Sequence, residues 1–178
     1  MTNASELFKG KNSGAHFSRN NAYRYLLWRI FPEGRGLLVV CMLNPSTANA
    51  ISSDPTTNRN IAFGKYMRRR GVIQINLFAA VATDPNELLE LDDPVGYLND
   101  WYIKKVAGLL KNEGGEFVCA WGAHAIAQSR APRVVELVKA EGIAPVCFNY
   151  TAQGHPQHPL YLPSGSIPTK PYPKETNG

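Results

Sequence analysis

With 178 residues, 44% of them hydrophobic, the chain can bury one substantial core but is short for two ordinary domains. No apolar run reaches the length of a membrane span, and Met1 to Lys11 is polar where a secretory signal would be apolar, so neither a membrane protein nor an exported one is expected. The formal charge of +5 and pI near 9.2 permit a polyanionic partner without specifying one.

Residues 22–30 have the aromatic and β-branched content of a strand, and 32–36 form a turn. Leu37 to Met42 is a continuous apolar run of the kind that becomes a strand covered on both faces. Asn58 to Arg70 reads as a helix that packs through Ile61, Phe63, Tyr66 and Met67 and stops at Gly71. Val72 to Phe78 is the next strand, followed by a long loop from Ala79 to Gly96.

Leu98, Trp101, Tyr102, Val106 and Leu109 then recur at helical spacing. Glu116 to Trp121 is a strand that turns at Gly122 into a helical stretch. Pro132 starts a further helix, with Val134, Val135, Leu137 and Val138 facing inward and Gly142 at its end. Pro145 to Asn149 is the last strand. This β-α alternation predicts a single α/β domain over residues 1–178: a doubly wound, four-stranded parallel sheet between two helical layers. Residues 1–14 and 164–178 are expected as flexible or wrapping tails. Cys41, Cys119 and Cys147 lie in apolar, strand-like runs without C-x-x-C spacing, which fits buried thiols in a reducing, cytoplasmic setting.

Two prolyl motifs follow predicted strands, Leu43-Asn44-Pro45-Ser46-Thr47 and Gly154-His155-Pro156-Gln157-His158-Pro159. Loops after the carboxyl ends of parallel strands gather at one edge of the sheet, so an amide and an imidazole can meet there across a cleft. Asn44-Pro45 is also an ordinary turn pair. In the functional reading, Pro45 fixes the loop and the Asn44 amide orients a water. His155 and His158 each precede a proline, which biases them to extended backbone and suits a fixed imidazole for charge stabilisation or proton transfer. The same histidines could cap carbonyls in a surface loop, or less readily form a zinc pair.

Asn76, inside an apolar strand, either ties two loops together or reads the edge of a bound base. Phe63 is more simply core than stacking platform. Arg68-Arg69-Arg70 most simply complements a helix C-terminus, with phosphate contact the sharper alternative. His124, in Trp121-Gly122-Ala123-His124, reads as structural.

Taken together, the segments NPSTANA, INLFA, ATDP, DDPVG, AWGAHA and GHPQHPLYLP resemble a family of small uncharacterised proteins. Four of the motifs also resemble, in order, those of the uracil-DNA glycosylase superfamily, in the branch with Asn-Pro in its first motif. Leu43-Asn44-Pro45-Ser46 matches that first motif, although Met42 stands where the superfamily has Gly. Ile75-Asn76-Leu77 matches the strand whose Asn reads a pyrimidine edge. Cys119-Ala120-Trp121-Gly122 matches the next strand, and His155-Pro156 or His158-Pro159-Leu160 the last motif.

The resemblance implies a monofunctional DNA glycosylase without a cofactor, acting as a monomer on DNA away from membranes. It flips a nucleotide into a pocket, cleaves the N-glycosidic bond and leaves an abasic site. Asn44 would position water, and His155, the first choice over His158, would stabilise the departing base. Leu43, Pro45, Ser46, Phe63 and Asn76 would hold the base. Leu160, Tyr161 and Leu162 would fill the vacated stack, with Arg68 on DNA. The strict uracil enzymes have Tyr at the position of Ser46. The open C5 side here implies 5-substituted pyrimidines, including glucosylated hydroxymethylcytosine of bacteriophage DNA and hence antiviral defence, or uracil. The alternatives are an N-glycosidase on free modified nucleotides, a non-catalytic nucleic-acid or nucleotide binder of the same fold, and a metal hydrolase using His155 and His158.

Overall fold

A computed structural model describes residues 4–174. The elements run α1 (Ala4–Phe8), β1 (Ser13–Phe17), β2 (Arg24–Ile30), β3 (Leu37–Met42), α2 (Pro55–Tyr66), β4 (Gly71–Asn76), α3 (Asn99–Glu113), β5 (Gly115–Cys119), α4 (Ala127–Ala140), β6 (Val146–Cys147) and β7 (Lys170–Pro171). Short 3-10 turns cover Pro85–Glu90 and Pro159–Tyr161. They form an α/β fold around one seven-stranded sheet of order β1-β2-β4-β3-β5-β6-β7. The expected sheet of four strands is therefore too small. β4, β3, β5 and β6 pair in parallel, but β2 and β1 extend one side antiparallel and β7 extends the other.

The apolar run that predicted β3 makes it the central strand. All six residues are buried, and alternation divides them between two cores. Leu37, Val39 and Cys41 join the core shared with Ile103 and Val106 of α3 and Val134 and Val138 of α4. Leu38, Val40 and Met42 face Phe63 of α2 together with Phe148 and Leu162. Helices thus cover both faces.

The chain leaves β3 for β4 on one side, then places β5 on the other side of β3. This reversal opens a crevice beyond the carboxyl ends of β3 and β5.

Several boundaries differ from expectation for local reasons. The α2 helix begins at Pro55, not Asn58, because Asp54 caps it: its Oδ1 accepts the Thr57 amide at 2.7 Å, and Pro55 takes the first turn, where a missing N–H costs nothing. Its stop is not Gly71, which opens β4; the chain reverses through Arg68 at φ 52°. The α4 helix starts before Pro132 and carries that proline inside, forgoing one backbone hydrogen bond.

The expected tails contain structure. In the N-terminal segment, Phe8 stacks on Trp28 with ring centroids 5.5 Å apart. In the C-terminal one, β7 pairs with β6, and Tyr172 meets Trp121 edge-on at 5.1 Å. The three thiols are free and buried in strands, and burial pushes each of them up, so they remain protonated. Among the described residues no helix is long and apolar enough to cross a membrane.

Candidate functional site

The crevice holds a cavity of about 320 Å³, near the lower end of small-molecule sites (~300–1,000 Å³). Its walls come from the loops after β3 (Leu43, Asn44, Ser46), after β4 (Ala82, Thr83) and after β5 (Trp121 to His124), and from the end of the His-Pro loop (His158, Leu160, Tyr161). Arg24, Gln74 and Asp54 complete it. Segments more than a hundred residues apart therefore bring Asn44 and His158 to one cavity.

Asn44 is held at both ends of its loop. Its Nδ2 donates to the Pro45 carbonyl at 3.1 Å and to the Ala82 carbonyl at 2.8 Å. The Ala82 amide in turn donates to the Pro45 carbonyl at 3.1 Å. The amide thus ties the loops after β3 and β4 together, and its Oδ1 is left without a protein donor at the cavity wall. The Ser46 hydroxyl donates to Asp54 Oδ2 at 2.9 Å. Burial alone would raise the Asp54 carboxyl. The bonds from Thr57 and Ser46 and the charge of Arg24 outweigh it and hold the group below the usual carboxylate value. Asp54 is therefore a fixed negative charge, its oxygens already engaged.

Arg24 is 2% exposed. Its Nη1 donates to the Ala48 carbonyl at 2.6 Å, while its buried Nε–H has no partner. Desolvation lowers its pKa to about 10 against the opposing pull of Asp54, so it stays charged at neutral pH. Gln74, 1% exposed, accepts the Thr57 hydroxyl on Oε1 at 3.1 Å, and its Nε2 is buried without a partner.

The two histidines of the last motif separate. Residues 149–157 fold back on themselves: Thr151 N donates to the His155 carbonyl at 2.7 Å, His155 N to Thr151 Oγ1 at 3.1 Å, and Gln157 N to the Asn149 carbonyl at 2.9 Å. His155 is spent on this turn and does not line the cavity. Gly122, at φ 79°, donates its N–H to the Pro156 carbonyl at 2.9 Å and brings the next residues to the wall. His158 follows, capping the 3-10 turn with Nδ1 accepting the Leu160 amide at 3.4 Å. That bond leaves its proton on Nε2. Burial lowers the His158 pKa, against the charge of Asp54, and keeps the imidazole neutral.

This burial has a consequence for stability. His158 and His16 both have folded values below the ordinary 6.5. In acid the unfolded chain takes protons that the folded one resists. Stability should hold above about pH 7, fall as the pH drops through 6.5, and level off below the folded values. Asp54 titrates too low to contribute in that window. Thermal unfolding at pH 7.5 and 5 should show a smaller acid-side loss in His158→Gln than in the natural chain.

Other expected positions lie elsewhere. Phe63, 1% exposed, packs on Phe148 at 4.8 Å under the Arg59 guanidinium, in the core and not at the cavity. Asn76 is buried at the end of β4 outside the lining. Asn99 instead joins α3 to the end of that strand, donating to the carbonyls of Asn76 and Leu77 at 3.1 and 2.9 Å. Pro45 is buried beneath the wall, and Leu43 lines it. Leu160 and Tyr161 stand exposed at the rim, whereas Leu162 is buried in the α2-side core.

Arg68 precedes β4, at the end of the sheet opposite the cavity, so it belongs to a different surface. Beside it, Arg69 pairs with Glu116, and Arg70 pairs with Glu113 at 3.2 Å. Arg24, Asp54, Gln74, Trp121 and His124 are the wall residues that the site reading did not include. A glutamine inside Val72-Ile73-Gln74-Ile75 and an Asp-Pro-Thr-Thr cap signature were the available signals.

Residues 24–160 match the family described as Protein of unknown function (DUF1643). No curated protein matches, and no solved structure does.

Proposed function

The chain belongs to this family of proteins of unknown function, and we propose from its cavity that it is a DNA N-glycosidase acting on modified pyrimidines. One observation carries the reading: Asn44 and neutral His158 share a wall of a base-sized cavity whose floor is a buried amide. Asn44 Oδ1 would accept a hydrogen bond from a water and aim its oxygen at C1′ of the sugar. As the new C–O bond forms, the C1′–N1 bond breaks and its electron pair leaves with the base.

His158 Nε2–H would donate to the carbonyl oxygen where that charge collects, a stabilisation made before the reaction begins. The water's surplus proton passes to solvent, and solvent protonates the departed base. Asp54 is positioned to oppose the positive charge that grows on the sugar. Ser46 leaves that part of the wall small, with room for a substituent on C5. The exposed Leu160 and Tyr161 at the rim suit insertion into the stack that the flipped base leaves.

Incubation with duplex and single-stranded DNA carrying uracil, 5-hydroxymethylcytosine or its glucosylated form, scored by alkaline cleavage of abasic sites, tests this. Cleavage at a modified pyrimidine is expected, and intact DNA throughout would refute it. A second reading, the same chemistry on free modified nucleotides, is favoured by the acidic loop beside the cavity, with Asp84, Glu87, Glu90, Asp92 and Asp93. A DNA enzyme should lose activity steeply with salt and with shortened oligonucleotides, and a nucleotide enzyme should not.

A further inference from the structure

We infer that Gln74, with Arg24 beside it, reads the base, and that the cavity takes cytosine-type rather than uracil-type rings. This rests on the cavity receiving a pyrimidine, as proposed above. Gln74 and Arg24 come from β4 and β2, neighbouring strands in register at Leu27↔Gln74. Both side chains are nearly inaccessible, at 1% and 2%. Each keeps one buried N–H without a partner, Gln74 Nε2 and Arg24 Nε.

Unpaired buried donors are costly and uncommon in a folded protein, and two on the lining of one cavity point to a ligand that supplies the acceptors. The amide is not free to turn around. Its Oε1 is held by the Thr57 hydroxyl at 3.1 Å, and Thr57 is fixed in turn by its backbone bond to Asp54. The floor therefore offers donors. A cytosine ring presents adjacent acceptors, the O2 carbonyl and the unprotonated N3. A uracil ring carries a proton on N3, which would face a donor and leave both groups unpaired. Asn76, the sequence's own candidate for this task, lies outside the cavity lining.

The test is isothermal titration of the purified full chain with 2′-deoxycytidine and with 2′-deoxyuridine. The natural chain should prefer deoxycytidine by about tenfold or more. Gln74→Glu, which puts an acceptor where the donor was, should reverse the preference. Thr57→Val, which frees the amide to rotate, should weaken it, and carries the test if Gln74→Glu does not fold. Equal affinities, a uracil preference, or no binding of either nucleoside at millimolar concentration would overturn the inference. So would a natural-strength preference in the variants. Because binding is read directly, a cytosine preference without base release from any DNA would keep this recognition and remove the hydrolytic reading.

Discussion

Replacing Asn44 by alanine should lower base release by about 10²–10³-fold, the usual cost of losing one fixed polar contact to the reacting groups. His158→Ala should fall by a similar factor, and the double variant by little more than either single one, because residues that act as one unit are not additive. His155→Ala is the control. Its imidazole lies outside the cavity, so single-turnover rates should stay near those of the natural chain.

Asn44→Asp is informative in another way. The Asn44 amide nitrogen donates to two carbonyls, at 3.1 and 2.8 Å. A carboxylate there would set oxygen against oxygen in both places and loosen the tie between the loops after β3 and β4. A stronger potential base would thus come with a disordered wall, and activity should fall. Circular dichroism and thermal unfolding alongside the rates separate the two effects, since Asn44→Ala should lose activity with little loss of stability.

The largest loss of stability is expected from Gly115→Ala. Gly115 opens β5 at φ 113°, and an added Cβ would lie 1.9 Å from the Leu37 carbonyl oxygen and 2.5 Å from its nitrogen. Those backbone atoms start the pairing of the central strand with β5, so relief requires moving the ladder itself. Backbone strain of ~1–3 kcal/mol adds to the lost pairing, for a total of about 4 kcal/mol or more, a large part of the ~5–15 kcal/mol typical of a domain.

Gly114→Ala is the matched comparison. Its φ is also positive, at 72°, but nothing lies within 4 Å of the added carbon, and it should cost only about 1–2 kcal/mol. Urea denaturation of the two variants measures the difference. Equal losses would mean that conformation, not the approach to Leu37, sets the requirement for glycine.

The centre of the sheet was legible because its chemistry is one-dimensional. Six consecutive apolar residues can only be a strand covered on both faces, and β3 has those bounds. The sheet's edges were not. Ser13–Phe17 has mixed burial, and Lys170–Pro171 is exposed, so neither carries a hydrophobic signature. Their place depends on neighbours that a local reading does not supply.

The site divides along the same line. That Asn44 would stand at the carboxyl edge followed from the motif's position after a strand. The choice between His155 and His158 depended on the hydrogen bonds that fold residues 149–157 back on themselves. Phe63 and Gln74 exchanged expectations for a related reason. Phe63 faces the sheet at the middle of its helix and is absorbed into the core, whereas Gln74 is a polar side chain in an apolar strand, buried at the cavity floor. A buried amide asks for partners, and the sequence shows the amide but not the partner that is missing.

The central claim is that this cavity breaks a glycosidic bond. The most direct test is mass spectrometry of both products from an oligonucleotide carrying one 5-hydroxymethylcytosine or its glucosylated form, with Asn44→Ala in parallel. The account predicts free base and abasic strand in equal amounts with the natural chain and almost none with the variant. Strands of unchanged mass under conditions where the protein is folded, or release that Asn44→Ala leaves untouched, would contradict it.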